Sequence, residues 1–123
     1  MEVSEGIEVP AGMEGYSCGL DLAVDLVGGK WKALILWELR EGPQRFNALC
    51  RSLEGVSPKM LTQQLREMQG DGLVHRHSYG EVPPRVEYSM TTIGEQLLDL
   101  LEPLGDWAEA NAVTIARARS QNA

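Results

Sequence analysis

Apolar residues along the chain recur first at helical spacing, then in alternation, then at helical spacing again. Leu20, Ala23, Val24 and Val27 predict a short first helix that the Gly28-Gly29 pair ends. Lys30 to Arg40 sets Trp31, Leu34, Ile35 and Glu38 on one face with Leu36 and Leu39 beside it. This predicts a second helix, apolar nearly all round and central to the core, which Gly42-Pro43 closes. Phe46, Leu49, Cys50 and Leu53 follow the i, i+3, i+4, i+7 pattern of a third helix, and Gly55 marks its end. Ser57 is placed to cap a fourth, with Pro58 at its first position and Leu61, Leu65 and Met68 as its inward stripe.

The period then changes. Leu73, His75 and His77 alternate with Val74, Arg76 and Ser78, and Arg85 to Met90 is rich in β-branched and aromatic residues, with a Gly- and Pro-containing tip between. The two runs predict a β-hairpin. Thr91 or Thr92 can cap a last helix, with Glu95 completing part of a capping box. Its stripe of Ile93, Leu97, Leu100, Leu104 and Trp107 needs a partner surface, and Pro103 inside it predicts a bend or break near Asp99 to Pro103. Three helices in succession followed by a hairpin make a mainly α domain of winged helix-turn-helix type.

Length and composition narrow the function. The 123 residues are 43% hydrophobic and 24% charged, as expected of one folded domain. Residues 1–17 carry Glu2, Glu5, Glu8 and Glu14 without a basic residue or a sustained apolar period, and are read as a flexible acidic arm. Residues 18–123 form the folded domain. No run approaches the length of a membrane span and no signal segment opens the chain, so a soluble cytoplasmic protein is expected. Two cysteines, Cys18 and Cys50, make neither a disulfide framework nor a zinc site. No nucleophile stands beside a base, no carboxylates pair and no glycine loop cradles phosphate, so an enzyme is not expected and no cofactor is implied.

The net charge of −7 argues against a nucleic-acid partner only if it is spread evenly. It is not: residues 30–90 hold nine basic against seven acidic residues, while the remainder holds two basic and eleven acidic. Between Pro43 and Arg66, Arg45, Arg51, Lys59 and Arg66 face Glu54 alone. With Leu61 and Leu65 inward, helical steps of 100° turn Lys59, Gln63 and Arg66 outward, flanked by Met60 and Thr62. These side-chain types neutralise phosphate, pair with guanine or adenine edges, and touch the thymine methyl. Ser57, Lys59, Met60, Thr62, Gln63 and Arg66 are therefore the candidate groove face for double-stranded DNA, with Arg45 and Arg85 as phosphate contacts and Arg76 and His77 on the wing. The alternatives are a solvated helix on a protein-interaction or dimerisation module, or a ligand-only sensor. His75 and His77 share a strand face, but two imidazoles are too few for a metal. Cys50 lies on an apolar stripe and reads as structural, and Trp31, Trp37 and Trp107 read as core or dimer residues that could line a pocket for a planar effector.

Gly28-Gly29-Lys30-Trp31, Gly42-Pro43 with Arg45-Phe46, Ser57 to Arg66, and Val82-Pro83-Pro84-Arg85-Val86-Glu87-Tyr88 together resemble the HxlR-type bacterial transcriptional regulators over about Cys18 to Trp107. The resemblance implies a homodimeric regulator, expected to be a repressor, on a pseudo-palindromic operator. It also implies a dimer interface on the first and last helices, with Leu20 and Val24 from one and Leu97, Leu101, Leu104 and Trp107 from the other. Cys18 stands just before the first helix, where many such regulators have a cysteine that in some senses quinones, aldehydes or oxidants; here Gly19 follows it where proline is common. A thiol at a helix N-terminus gains thiolate character, which suits redox or electrophile sensing.

Overall fold

The computed structural model describes residues 10–122, so the acidic segment 1–9 lies outside it. Residues 10–17 form tight turns anchored to the first helix, where the Tyr16 hydroxyl donates to Asp25 Oδ2 at 2.6 Å. Six helices and three strands follow: α1 Gly19–Leu26, α2 Lys32–Glu38, β1 Gln44–Arg45, α3 Phe46–Ser52, α4 Pro58–Gly70, β2 Val74–Ser78, β3 Val86–Met90, α5 Thr92–Ala110 and α6 Ala112–Gln121.

The core is built from the stripes of α2, α3 and α4, closed below by the start of the hairpin and by α5. Ile35, Leu36, Leu39, Leu49, Leu61, Leu65 and Met68 are its fully buried side chains, joined by Leu53, Leu73, Val74 and Leu98. Helix α2 differs from its expected face: Leu34 and Trp37 are exposed and Lys32 is buried instead. The inward stripe therefore runs Trp31, Lys32, Ile35, Leu36 and Leu39, one helical face of ordinary width rather than an apolar cylinder.

The expected hairpin forms, β2 against β3 with His75 opposite Ser89 and His77 opposite Glu87. A third strand joins it. Gln44 pairs with Tyr88 and Arg45 with Glu87, giving the order β1-β3-β2. The wing is thereby stitched to the residue that opens α3.

The break expected near Pro103 does not occur, and α5 runs unbroken from Thr92 to Ala110. Asp99, whose carbonyl loses its partner to the proline, is exposed, as is Pro103 itself, so water can take the place of the missing amide. The chain turns at Asn111 instead, where the side-chain amide donates to the Trp107 carbonyl at 2.9 Å. Helix α5 begins in a knot of polar contacts. Thr91 accepts from the Gly94 amide at 3.1 Å, and its hydroxyl donates to the Gly72 carbonyl at 2.6 Å.

Candidate nucleic-acid interface

Helix α4 is held by both its ends and its inner stripe. The Ser57 hydroxyl accepts the Met60 amide at 3.0 Å, satisfying one of the free donors of the first turn, so Ser57 serves first as the cap. With Leu61, Leu65 and Met68 buried, Lys59, Met60, Thr62, Gln63 and Arg66 all stand exposed on the outer side. The Thr62 hydroxyl donates back to the Pro58 carbonyl at 2.8 Å. Arg45, in β1, is exposed as well.

The wing is more internally tied than expected. Arg85 does not extend freely: its guanidinium stacks on the Tyr79 ring at 3.6 Å and pairs with Glu81 at 3.0 Å. The Tyr79 hydroxyl donates to Glu87 Oε1 at 2.8 Å, which raises the pKa of the phenol, and the edge of His77 meets the same ring at 4.3 Å. The Arg85 guanidinium is thus engaged within the wing by Glu81 and Tyr79. Arg76 and His77 are exposed on β2. Tyr79 and Glu81 were missed by the motif reading, although their positions beside the Pro83-Pro84 tip were visible.

A second missed feature lies under α4. Lys32 Nζ reaches Glu67 Oε1 at 2.8 Å, and Gln63 Nε2 donates to Glu67 Oε2 at 3.3 Å. Lys32 first, then Gln63, hold the Glu67 carboxyl below its usual range. The i, i+4 relation of Gln63 to Glu67 could be found in the sequence. The approach of Lys32 could not, since it depends on how α2 crosses α4.

Of the proposed dimer residues, Leu20, Val24, Leu104 and Trp107 are well exposed, with Leu20 at 72%. Leu97 and Leu101 instead lie half-buried against their own core. Trp31 is buried and Trp37 stacks beneath the Arg40 guanidinium at 3.8 Å. Among the described residues, no three His, Cys, Asp or Glu side chains are grouped to hold a metal ion, and no helix is long and apolar enough to cross a membrane.

Cys18 is exposed at the N-cap of α1, and Cys50 is half-buried against the core. The amides of Asp21 and then Leu20, at the open end of α1, favour the Cys18 thiolate and lower its pKa below the ordinary thiol value. Cys18 is expected to alkylate with iodoacetamide well before Cys50 at neutral pH, as peptide mass mapping would show. Equal rates would mean that neither exposure nor the helix end governs this thiol.

A helix-turn-helix whose second helix presents an exposed basic face, followed by a sheet-borne wing, defines a winged-helix DNA-binding protein. Residues 26–115 match the model of the HxlR-like helix-turn-helix family. The chain is 45% identical over 95 residues to the HTH-type transcriptional regulator YkvN of Bacillus subtilis (strain 168), covering 77% of this chain and 80% of that one. The redox regulator HypR in its reduced form superposes with a TM-score of 0.78 at 37% identity, covering 81% of this chain and 99% of that one. Its oxidised form gives 0.72 at 40% identity, over 76% and 97%. The chain belongs to the HxlR-like helix-turn-helix family of transcriptional regulators and is a regulator rather than an enzyme.

Proposed function

We propose that the protein is a repressor that binds a pseudo-palindromic operator as a homodimer, α4 of each copy in the major groove and the wing on the adjacent backbone. The observation that carries this reading is the outer face of α4, where Lys59, Thr62, Gln63 and Arg66 are exposed together while the hydrophobic stripe is buried. Ser57 and Met60 border the groove, and Arg45, Arg76, His77 and Arg85 lie toward phosphates. Two such helices related by a twofold axis would read half-sites about one turn, ~34 Å, apart.

Gel-shift titrations across a range of salt test the division of labour. Arg85→Ala is expected to weaken binding to every sequence and lower the salt slope by roughly one unit, because one phosphate contact is lost. Gln63→Ala is expected to relax base preference as well. Identical effects of the two would rule the assignment out.

Release is assigned to Cys18. Its exposed, thiolate-favoured sulfur suits addition to a planar electrophile such as a quinone: the sulfur–carbon bond forms, and the ring takes up the thiol proton to become the hydroquinone thioether. The similarity to HypR, solved in reduced and oxidised forms, supports oxidant sensing too. Operator release by benzoquinone or diamide should be lost in Cys18→Ser. Unchanged release in that variant would remove Cys18 from the mechanism.

A further inference from the structure

Glu67 is out of place on a helix that reads DNA. It stands one turn beyond Gln63 on α4, where an ionised carboxylate repels phosphates and offers only acceptors. Both its oxygens are nevertheless engaged from within the subunit, one by the ammonium of Lys32 and the other by the amide of Gln63. Lys32 lies on α2 with its side chain only 11% accessible, so the cation that neutralises Glu67 comes from the interior and is itself shielded from the duplex.

The consequence falls on Gln63. A side-chain amide has two faces that differ only by exchange of oxygen and nitrogen, and a free glutamine presents either one. Glu67 removes the choice. Its oxygen accepts one hydrogen of Nε2, whereas a flipped amide would set oxygen against oxygen. With the hydrogen anti to Oε1 given to Glu67, the remaining N–H and Oε1 are a donor and an acceptor side by side, the pair that fits N7 and the N6 amino group of adenine.

We propose that Glu67, anchored by Lys32, is a positioning residue for base readout, fixing the amide of Gln63 in the sense that reads adenine. This rests on the placement of α4 in the major groove argued above. The role is distinct from a strut between α2 and α4, because a strut affects stability without affecting which base is preferred.

Selection of bound DNA from a random pool by the full-length protein separates these outcomes, with thermal melting measured alongside. The variants are Gln63→Ala, Arg66→Ala, Glu67→Ala and the pair Lys32→Met/Glu67→Ala, which leaves no ammonium buried without its partner. Gln63→Ala and both Glu67 variants are expected to lose preference for adenine at the same operator position by roughly tenfold, with the rest of the profile unchanged. Combining Gln63→Ala with Glu67→Ala should cost nothing further at that position. Glu67 variants that melt earlier yet keep the preference would overturn the positioning role and leave the α4 reading intact. So would a profile changed by Arg66→Ala and untouched by Gln63→Ala. If neither Arg66→Ala nor Gln63→Ala altered the profile, α4 would not be the reading helix and the inference would fall with it.

Discussion

Gly94→Ala is expected to destabilise the fold by about 3 kcal/mol, one of the largest effects available to a single methyl group in this chain. Gly94 is buried in the first turn of α5, and a Cβ built on it falls on the carbonyl oxygen of Leu73. That oxygen accepts the Thr91 amide at 3.1 Å, and Thr91 in turn caps Gly94 and holds Gly72. The obstacle is backbone, so no side-chain rotation relieves it. The end of α4, the start of β2 and the start of α5 must separate, and the three hydrogen bonds weaken together. Gly105 lies on the same helix with open space around its Cβ position, and Gly105→Ala should raise stability by about 0.5–1 kcal/mol through helix propensity alone. Urea unfolding of both variants at one fixed protein concentration makes the comparison. A Gly94→Ala midpoint equal to that of the unaltered protein would show that the close approach of α5 to Leu73 is not as described.

The second large effect concerns assembly. Leu104→Glu is expected to yield a folded monomer whose operator affinity is lower by roughly 100-fold or more, since each half-site would then be bound alone. Leu104 is 59% exposed in the single chain, so the change costs the protomer little. It stands with Leu100 and Trp107 on the outer side of α5, an apolar strip of the kind that monomeric proteins seldom leave open. In a twofold dimer one glutamate becomes two, facing each other across the axis or buried in the partner's apolar side chains. Sedimentation of both proteins at micromolar concentration, with parallel gel shifts, reads the result. A Leu104→Glu protein that sediments as a dimer and holds the operator normally would move the interface elsewhere.

Much of this is legible in the sequence alone, and the parts that are not share a cause. The stripe Leu61, Leu65, Met68 placed α4 and turned its outer face correctly, because helical period is a local property. Ser57 and Thr91 as caps were equally local. Strand β1 was not foreseen, since two residues cannot show alternation and their partners Tyr88 and Glu87 lie more than forty positions on. Pro103 misled for the opposite reason: the local rule was sound, but the side of α5 it fell on is exposed and tolerates an unpaired carbonyl. The candidate DNA face was visible as residue types. The ion pairs around it, Arg85 to Glu81 and Lys32 to Glu67, join side chains whose approach is decided by the wing tip and the helix crossing.

The unbroken course of α5 makes it a lever arm. Nineteen residues at about 1.5 Å each give a rod of about 28 Å. Its fulcrum is the clamped turn at Gly94 together with Leu98, and residues 102–110 beyond it are exposed. From that fulcrum to Ala110 is about 18–24 Å, so a tilt of about 10° swings the far end by about 3–4 Å. A break at Pro103 would have absorbed such a tilt; an uninterrupted helix transmits it to whatever grips the tip.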